Sequence, residues 1–312
     1  MDASDNNPLE NSLPAGIKER TLIDAITTSG FPLQGLVAHE LRERYGVSEE
    51  WSFIDRDTQQ IRSLDVFGWR KLEPHKNVHC RAAVLVECKS SIHPYVFFQN
   101  AVHKSYNFPK ITGLKYVQIF SSGDSAKSTF QECSPTKVLG LNESEFGTTP
   151  IICSAFTQAI PQGDKVNVNG SDPFNSIVMP LVKSLDHASS LYQISDAGRD
   201  GVLYPTLLLA ICILDAPMIV VANPDENQSV SLTPWVRILR KEAKLNQHKQ
   251  IQHVEYVIDV VHRGFMSEFF RVHVDRFFSE YRERLIESAG ILLRDGRVPN
   301  LDSWTWRDVV AG

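Results

Sequence analysis

The chain lacks any cysteine pattern of the kind that binds metal or forms a disulfide framework. Its five cysteines, Cys80, Cys88, Cys133, Cys153 and Cys212, are odd in number and include no CxxC pair. This argues against both a disulfide scaffold and a cysteine-rich zinc module, and it fits a reducing, cytoplasmic setting. His75 and His79, followed by Cys80, have no second ligand pair nearby and read as polar residues in a connection ahead of a strand. The basic start and apolar segment of a secretory signal are also missing from MDASDNNPLENSLPAGIK, so no export is expected. Nor is there an unbroken apolar run of the roughly 20 residues that a membrane-spanning helix carries. The strongest run, Leu203 to Val221, is interrupted by Pro205, Asp215 and Pro217, and it predicts a buried helix over 204–214 followed by a buried strand over 217–223. A positive charge balance is absent too. At a formal net charge of -5 the chain as a whole does not attract a phosphate backbone. A local basic stretch, Arg237, Arg240, Lys241, Lys244 and Lys249, is the candidate nucleic-acid contact, with a solvated helix face as the other reading.

Against these absences stand an apolar fraction of 42% and aromatics at 9%, enough for a substantial core. One elaborated domain over 19–312 is expected, with residues 1–18 a polar, turn-rich tail that cannot pack and is therefore disordered. In LQGLVAHELRERYG, Leu33, Leu36, Val37 and Leu41 fall at helical spacing, with Pro32 in the first turn and Gly46 as the stop. WSFIDRDTQQIRSLDVFGWRKL reads as a hairpin turning near Asp57 to Gln60, and CRAAVLVECKSS as a central strand covered on both faces. From about 100 to 170 the pattern weakens around one strand candidate, Leu114 to Phe120, and this region reads as a large insertion. Helical spacing returns at Phe174, Ile177, Val178, Leu181 and Leu185, with a kink expected at Pro180. A strand over 254–261 then precedes a long amphipathic helix from Met266 to Ile286, striped by Phe269, Phe270, Phe277, Tyr281 and Leu285. The order predicts an α/β chain, a mixed central β-sheet with helices on both sides.

Charges stand where packing alone would not put them. Asp65 lies inside IRSLDVFGW between Leu64 and Val66. Glu87 and Lys89, two apart on a strand, emerge on one face. Buried carboxylates need partners or a cation, and an oxygen donor set of this kind suits Mg2+ or Mn2+. His39 and His93 read as ordinary satisfied histidines, with proton carriers near the site as the lesser reading.

An Asp on the second strand of a hairpin followed by Glu-x-Lys on the next strand resembles the PD-(D/E)XK nuclease superfamily, the restriction-endonuclease-like fold. The resemblance covers about Pro32 to Gln99. It implies that Asp65, Glu87 and the Cys88 carbonyl hold the metal, that Lys89 serves the attacking water, and that Glu40 assists the ion. Gln99 fills the place of an accessory Gln found in some branches, without the Tyr that follows it there. Leu64 stands where the family name has Pro. The implied activity is a divalent-metal-dependent endonuclease, acting on DNA rather than RNA and serving defence against foreign DNA. The alternative is an inactive nuclease-fold subunit that binds nucleic acid or protein. Many relatives pair subunits to cut a duplex, so a homodimer or partner subunit is a candidate, with the aromatic helix as its contact surface or simply as core.

Overall fold

A computed structural model describes residues 8, 10–99, 108–121, 129–192, 201–222, 229–245, 250–293 and 297–298. Much of the expected tail, 1–7 and 9, lies outside the described residues, as does Lys249. The chain opens with α1 (Glu19–Thr28) and α2 (Phe31–Arg42), then β1 (Gly46–Ile54), β2 (Ile61–Lys71), β3 (Arg81–Ser90) and β4 (Tyr95–Gln99). β5 (Lys110–Thr112), β6 (Val117–Ser121) and β7 (Thr129–Cys133) precede two short helices, α3 (Pro135–Val138) and α4 (Glu145–Thr148). A hairpin follows, β8 (Ile151–Gln162) with β9 (Lys165–Asn169), then α5 (Ser171–Pro173), a π-helical turn at Phe174–Val178 and α6 (Met179–Leu191). Strands β10 (Thr206–Asp215), β11 (Met218–Ala222), β12 (Ser229–Leu232), β13 (Trp235–Leu245) and β14 (Ile251–His262) lead to α7 (Met266–Glu268), a second π-helical turn at Phe269–Val274, α8 (Asp275–Leu293) and β15 (Arg297–Val298).

α2 forms where the periodicity predicts it. Pro32 sits in its first turn and Leu33, Val37, Ala38 and Leu41 face the sheet. It packs closely because β2 offers Gly68 beneath it, where a Cβ would meet Val84 at 2.9 Å and Leu41 at 3.4 Å. The hairpin turn is held by Asp55, fully buried, which accepts from the Asp57 amide at 3.0 Å and from Arg62 Nε at 2.8 Å. Burial opposes the Asp55 charge, but these bonds, the Thr58 hydroxyl and Lys183 outweigh it and hold the carboxyl below its ordinary pKa.

Among the described residues twelve strands join one mixed sheet, with the path β1-β2-β3-β10-β14-β13-β8-β4-β11-β12 and β5 and β9 attached to β10 and β8. β10 runs parallel to both β3 and β14, and β13 returns antiparallel to β14. The pair β3 and β10 continues, across short breaks, as the parallel pair β4 and β11. β8 then joins β13 to β4, so hydrogen-bonded neighbours lead from β10 around to β11, the continuation of β10. β5 and β8 come from the region read as an insertion, and both are built into this sheet.

Two core clusters cover the two faces. α2, α8 and the Phe269–Val274 turn pack on one, and α6 packs on the other. The sheet is thus flanked by helices on both sides, as the pattern predicts.

Three expectations are corrected. Residues 206–215 are a strand, not a helix: β10 is buried along almost its whole length between β3 and β14, so it shows no alternation from which its period could be read. The basic stretch from 237 is likewise strand, β13, whose alternation divides Arg237 and Lys241 from Arg240 and Lys244. The aromatic stripe Phe269, Phe270, Phe277, Tyr281 and Leu285 is fully buried inside the chain, which removes it as a subunit contact surface. Phe277 stacks on Phe146, centroids 4.5 Å apart, in a cluster with Phe108, Trp235 and Phe269. The kink expected near Pro180 is the π-helical turn that precedes it, with Pro180 in the first turn of α6.

Candidate active site

β2 and β3 are laddered from Lys71 and Arg81 to Val66 and Val86, and there the pairing stops. Beyond that point Asp65 takes over for the missing backbone partner: its Oδ2 accepts the Cys88 amide at 2.7 Å. A strand residue's N–H and C=O point to the same side, so the Cys88 carbonyl also faces this opening. Gly30, just ahead of α2, lies above it, its Cβ position 3.5 Å from the Cys88 carbonyl oxygen.

The opening has a cause in the hairpin. Glu50 stands opposite Asp65, between the pairs Glu49 with Val66 and Trp51 with Leu64, and has φ of 47°. A left-handed conformation is costly for a glutamate, about 1–2 kcal/mol. The face served by the hairpin changes there. Val47 and Val66 pack on the α2 side, whereas Trp51, Phe53 and Leu64 pack on the α6 side. A regular strand keeps 64 and 66 on one face; the twist at 50 and 65 breaks that rule and frees the Asp65 carboxylate to turn toward β3.

Glu87 and Lys89 share a face of β3, as their spacing predicts, and Lys89 Nζ lies 2.7 Å from Glu87 Oε1. Glu87 is only 5% exposed, so burial pushes its carboxyl up to about 7; Lys89 works against this, and the charges on Asp65 and Glu50 add to it. Asp65 is raised as well, by burial first, with the Cys88 amide and Lys89 opposing and Glu50 adding. Burial disfavours the Lys89 ammonium, but Glu87 and Asp65 outweigh it and raise its pKa, so Lys89 is a stable cation. Beneath them Cys212 is fully buried and its thiol is pushed far up, which keeps it protonated and inert. Asp65, Glu87 and Lys89 are therefore brought together, with Glu50 and the buried Tyr95 within electrostatic reach.

The other expected residues lie elsewhere. Glu40 accepts from Arg271 Nε at 2.9 Å, Arg44 at 3.3 Å and the Ser267 hydroxyl at 3.3 Å, tying α2 to the segment before α8 rather than joining the carboxylates of the sheet. Gln99 is exposed at the end of β4, which pairs with β8 and β11 and not with β3. Arg237 is 1% exposed and serves the core: its Nε meets Asp259 at 2.8 Å and its Nη1 donates to the Phe146 and Gly147 carbonyls at 2.9 and 3.0 Å. It cannot contact nucleic acid from there. Arg240 pairs with Glu242 at 2.7 Å and Lys244 with Asp186, leaving Lys241 exposed and without a carboxylate partner among the described residues. His39 is exposed on α2.

The oxygen donors that the site offers are two carboxylates and a carbonyl, not a full cage. Among the described residues no three His, Cys, Asp or Glu side chains come close enough to hold an ion. The donors at hand are Asp65, Glu87 and the Cys88 carbonyl, hard oxygens in a place where two carboxyls already repel each other. Also among the described residues, no helix is long and apolar enough to cross a membrane.

Glu50 and Tyr95 are the site residues that motif spacing misses. For Glu50 a signal existed: a hairpin turning about Asp57 and Thr58 sets position 50 opposite position 65. Tyr95 reaches the site on β4, which follows β3 and is held between β11 and β8, a placement that no local pattern reveals. No family model, curated protein or solved structure matches the chain.

Proposed function

We propose that the chain is a divalent-metal-dependent nuclease of the PD-(D/E)XK, restriction-endonuclease-like kind, acting inside DNA and serving defence against foreign DNA. One observation carries this reading: Asp65, Glu87 and Lys89 meet where the β2–β3 ladder opens, with the Cys88 carbonyl turned to the same gap.

Asp65, Glu87 and the Cys88 carbonyl would hold Mg2+ or Mn2+. The bound ion supplies charge neutralisation and acidifies a water at neutral pH. Lys89, kept as an ammonium by its two acidic neighbours, donates hydrogen bonds to a phosphate oxygen and offsets the charge that develops there. In this scheme Lys89 is an electrostatic group. Asp65 keeps the Cys88 backbone, and so its carbonyl, in position.

A second reading, a non-catalytic module for nucleic acid or protein, is favoured by the net charge of -5 and by the closed Glu87–Lys89 ion pair. A cleavage assay on plasmid, linear duplex, single-stranded DNA and RNA, with Mg2+ or Mn2+, separates the two. Cutting of DNA that is abolished by chelation, and reduced about 100-fold or more in Asp65→Ala and Lys89→Ala, is the expected result. Failure to cut any substrate with either ion would overturn the nuclease reading and favour the binding role.

A further inference from the structure

At the other end of β10 from Glu87, a cavity of about 660 Å³ opens beside β5, the end of α6 and the beginning of β14. Its volume is that of a pocket for a ligand of drug or nucleotide size. Its walls are polar, with Ser134, Thr136, Ser189 and Ser190 among them.

Three cations, Arg56, Lys110 and Lys244, and three carboxylates, Asp57, Asp186 and Glu255, line these walls, but they are not paired one to one. Asp57 is paired by Lys183, and Asp186 by Lys244 and by the Tyr256 hydroxyl, which donates at 2.8 Å. Glu255 is engaged as well. Arg56 and Lys110, which also face the cavity, have no carboxylate partner within ion-pair distance among the described residues. Lys110 is exposed to the cavity water and yet surrounded by protein. That loss of solvent lowers its pKa; Asp186 opposes the shift and Lys244 adds to it. An incoming anion would relieve this uncompensated charge. On the same wall Tyr116, 57% exposed, is the one large aromatic ring beside the imidazole of His253, with Ile111, Leu114 and Val254 adding apolar surface among the charged and hydroxyl groups. A flat aromatic face beside two unpaired cations and several hydroxyls matches the three parts of a nucleotide: base, phosphate and sugar.

We infer that this cavity binds a nucleotide, its phosphate held by Arg56 and Lys110 and its base laid on Tyr116, at a site separate from Asp65, Glu87 and Lys89. Calorimetric titration of the full chain tests this, with ATP, GTP, CTP and UTP each in EDTA buffer and pyrophosphate as the base-free probe. At least one nucleotide should bind, at least 10-fold more tightly than pyrophosphate. Lys110→Gln and Tyr116→Leu should each weaken that binding about 10-fold or more, and Lys89→Ala should leave it unchanged. Tyr116 is exposed, so its variant should fold even if the Lys110 variant does not. No binding at millimolar nucleotide, binding untouched by Tyr116→Leu, binding lost with Lys89→Ala, or pyrophosphate binding as tightly as nucleotides would each overturn the inference. None of these outcomes depends on whether the chain cleaves nucleic acid.

Discussion

Asp65 serves two purposes that substitutions can separate. Its carboxylate is an acceptor for the Cys88 amide and, in the proposed chemistry, a charge. Asp65→Asn keeps an acceptor and should fall within about 1 kcal/mol of the wild type in urea unfolding, whereas Asp65→Ala strands a donor and should cost about 1–3 kcal/mol. Both should lose cleavage; an active Asp65→Asn would remove the charge from the mechanism. Glu87 makes a prediction about pH. Its folded pKa of about 7 lies above the ordinary 4.5, so the protonated form is the one that folding favours. The stability it contributes is complete below pH 4.5 and is lost as pH rises through about 7. In EDTA, the wild type should therefore lose up to roughly 3 kcal/mol relative to Glu87→Gln across that window, measured by urea unfolding at several pH values. Parallel curves would show that Lys89 cancels the shift. Glu50→Gly relieves the left-handed backbone and should stabilise the chain by about 1 kcal/mol while removing a charge that acts on both carboxyls. The positions of Asp65, Glu87 and Lys89 were legible in the sequence because a charge inside an apolar strand announces itself. Glu40 was not: its i,i+4 partner Arg44 is local, but Arg271 and Ser267, which draw it toward the segment before α8, lie far along the chain and no local spacing points to them.

Elements were legible where one face is wet. α2 and the β1–β2 hairpin declare their periods because each has an exposed side; β3, as long as β10 and covered like it on both faces, is legible for another reason, the charges Arg81, Glu87 and Lys89 that bound its apolar run. β10 is covered on both faces, so its run of apolar residues fits helix and strand equally, and only its neighbours β3 and β14 decide the matter. β13 misleads in a different way: its cations look like a solvated face, but Arg237 is there to fasten the Phe146–Gly147 backbone to the sheet through Asp259. Breaking that buried pair should be expensive. Asp259→Asn is expected to cost about 3–5 kcal/mol, while the double change Arg237→Met with Asp259→Leu should recover much of the loss, both read by urea unfolding. Equal losses in the single and double variants would place the energy in the carbonyl bonds to Arg237 instead.

For the whole molecule, the sheet is assembled from strands distant in sequence. Arg81 pairs with Thr206 and Ser90 with Asp215, and β10 waits in turn for β14. Such long-range pairing slows folding, because loops must close before any contact rewards them. A chain cut after residue 203 retains β1, β2 and β3 but has lost both centre strands. It should show no cooperative unfolding by circular dichroism, whereas the full chain should.

That dependence sets an order of events on the ribosome. When Asp65, Glu87 and Lys89 have left the exit tunnel, the strand that shelters Glu87 has not yet been translated, and the one beyond it follows later still. The chain therefore comes into possession of this arrangement of side chains only once β10 and β14 have followed, and a product released before then carries the residues without the arrangement.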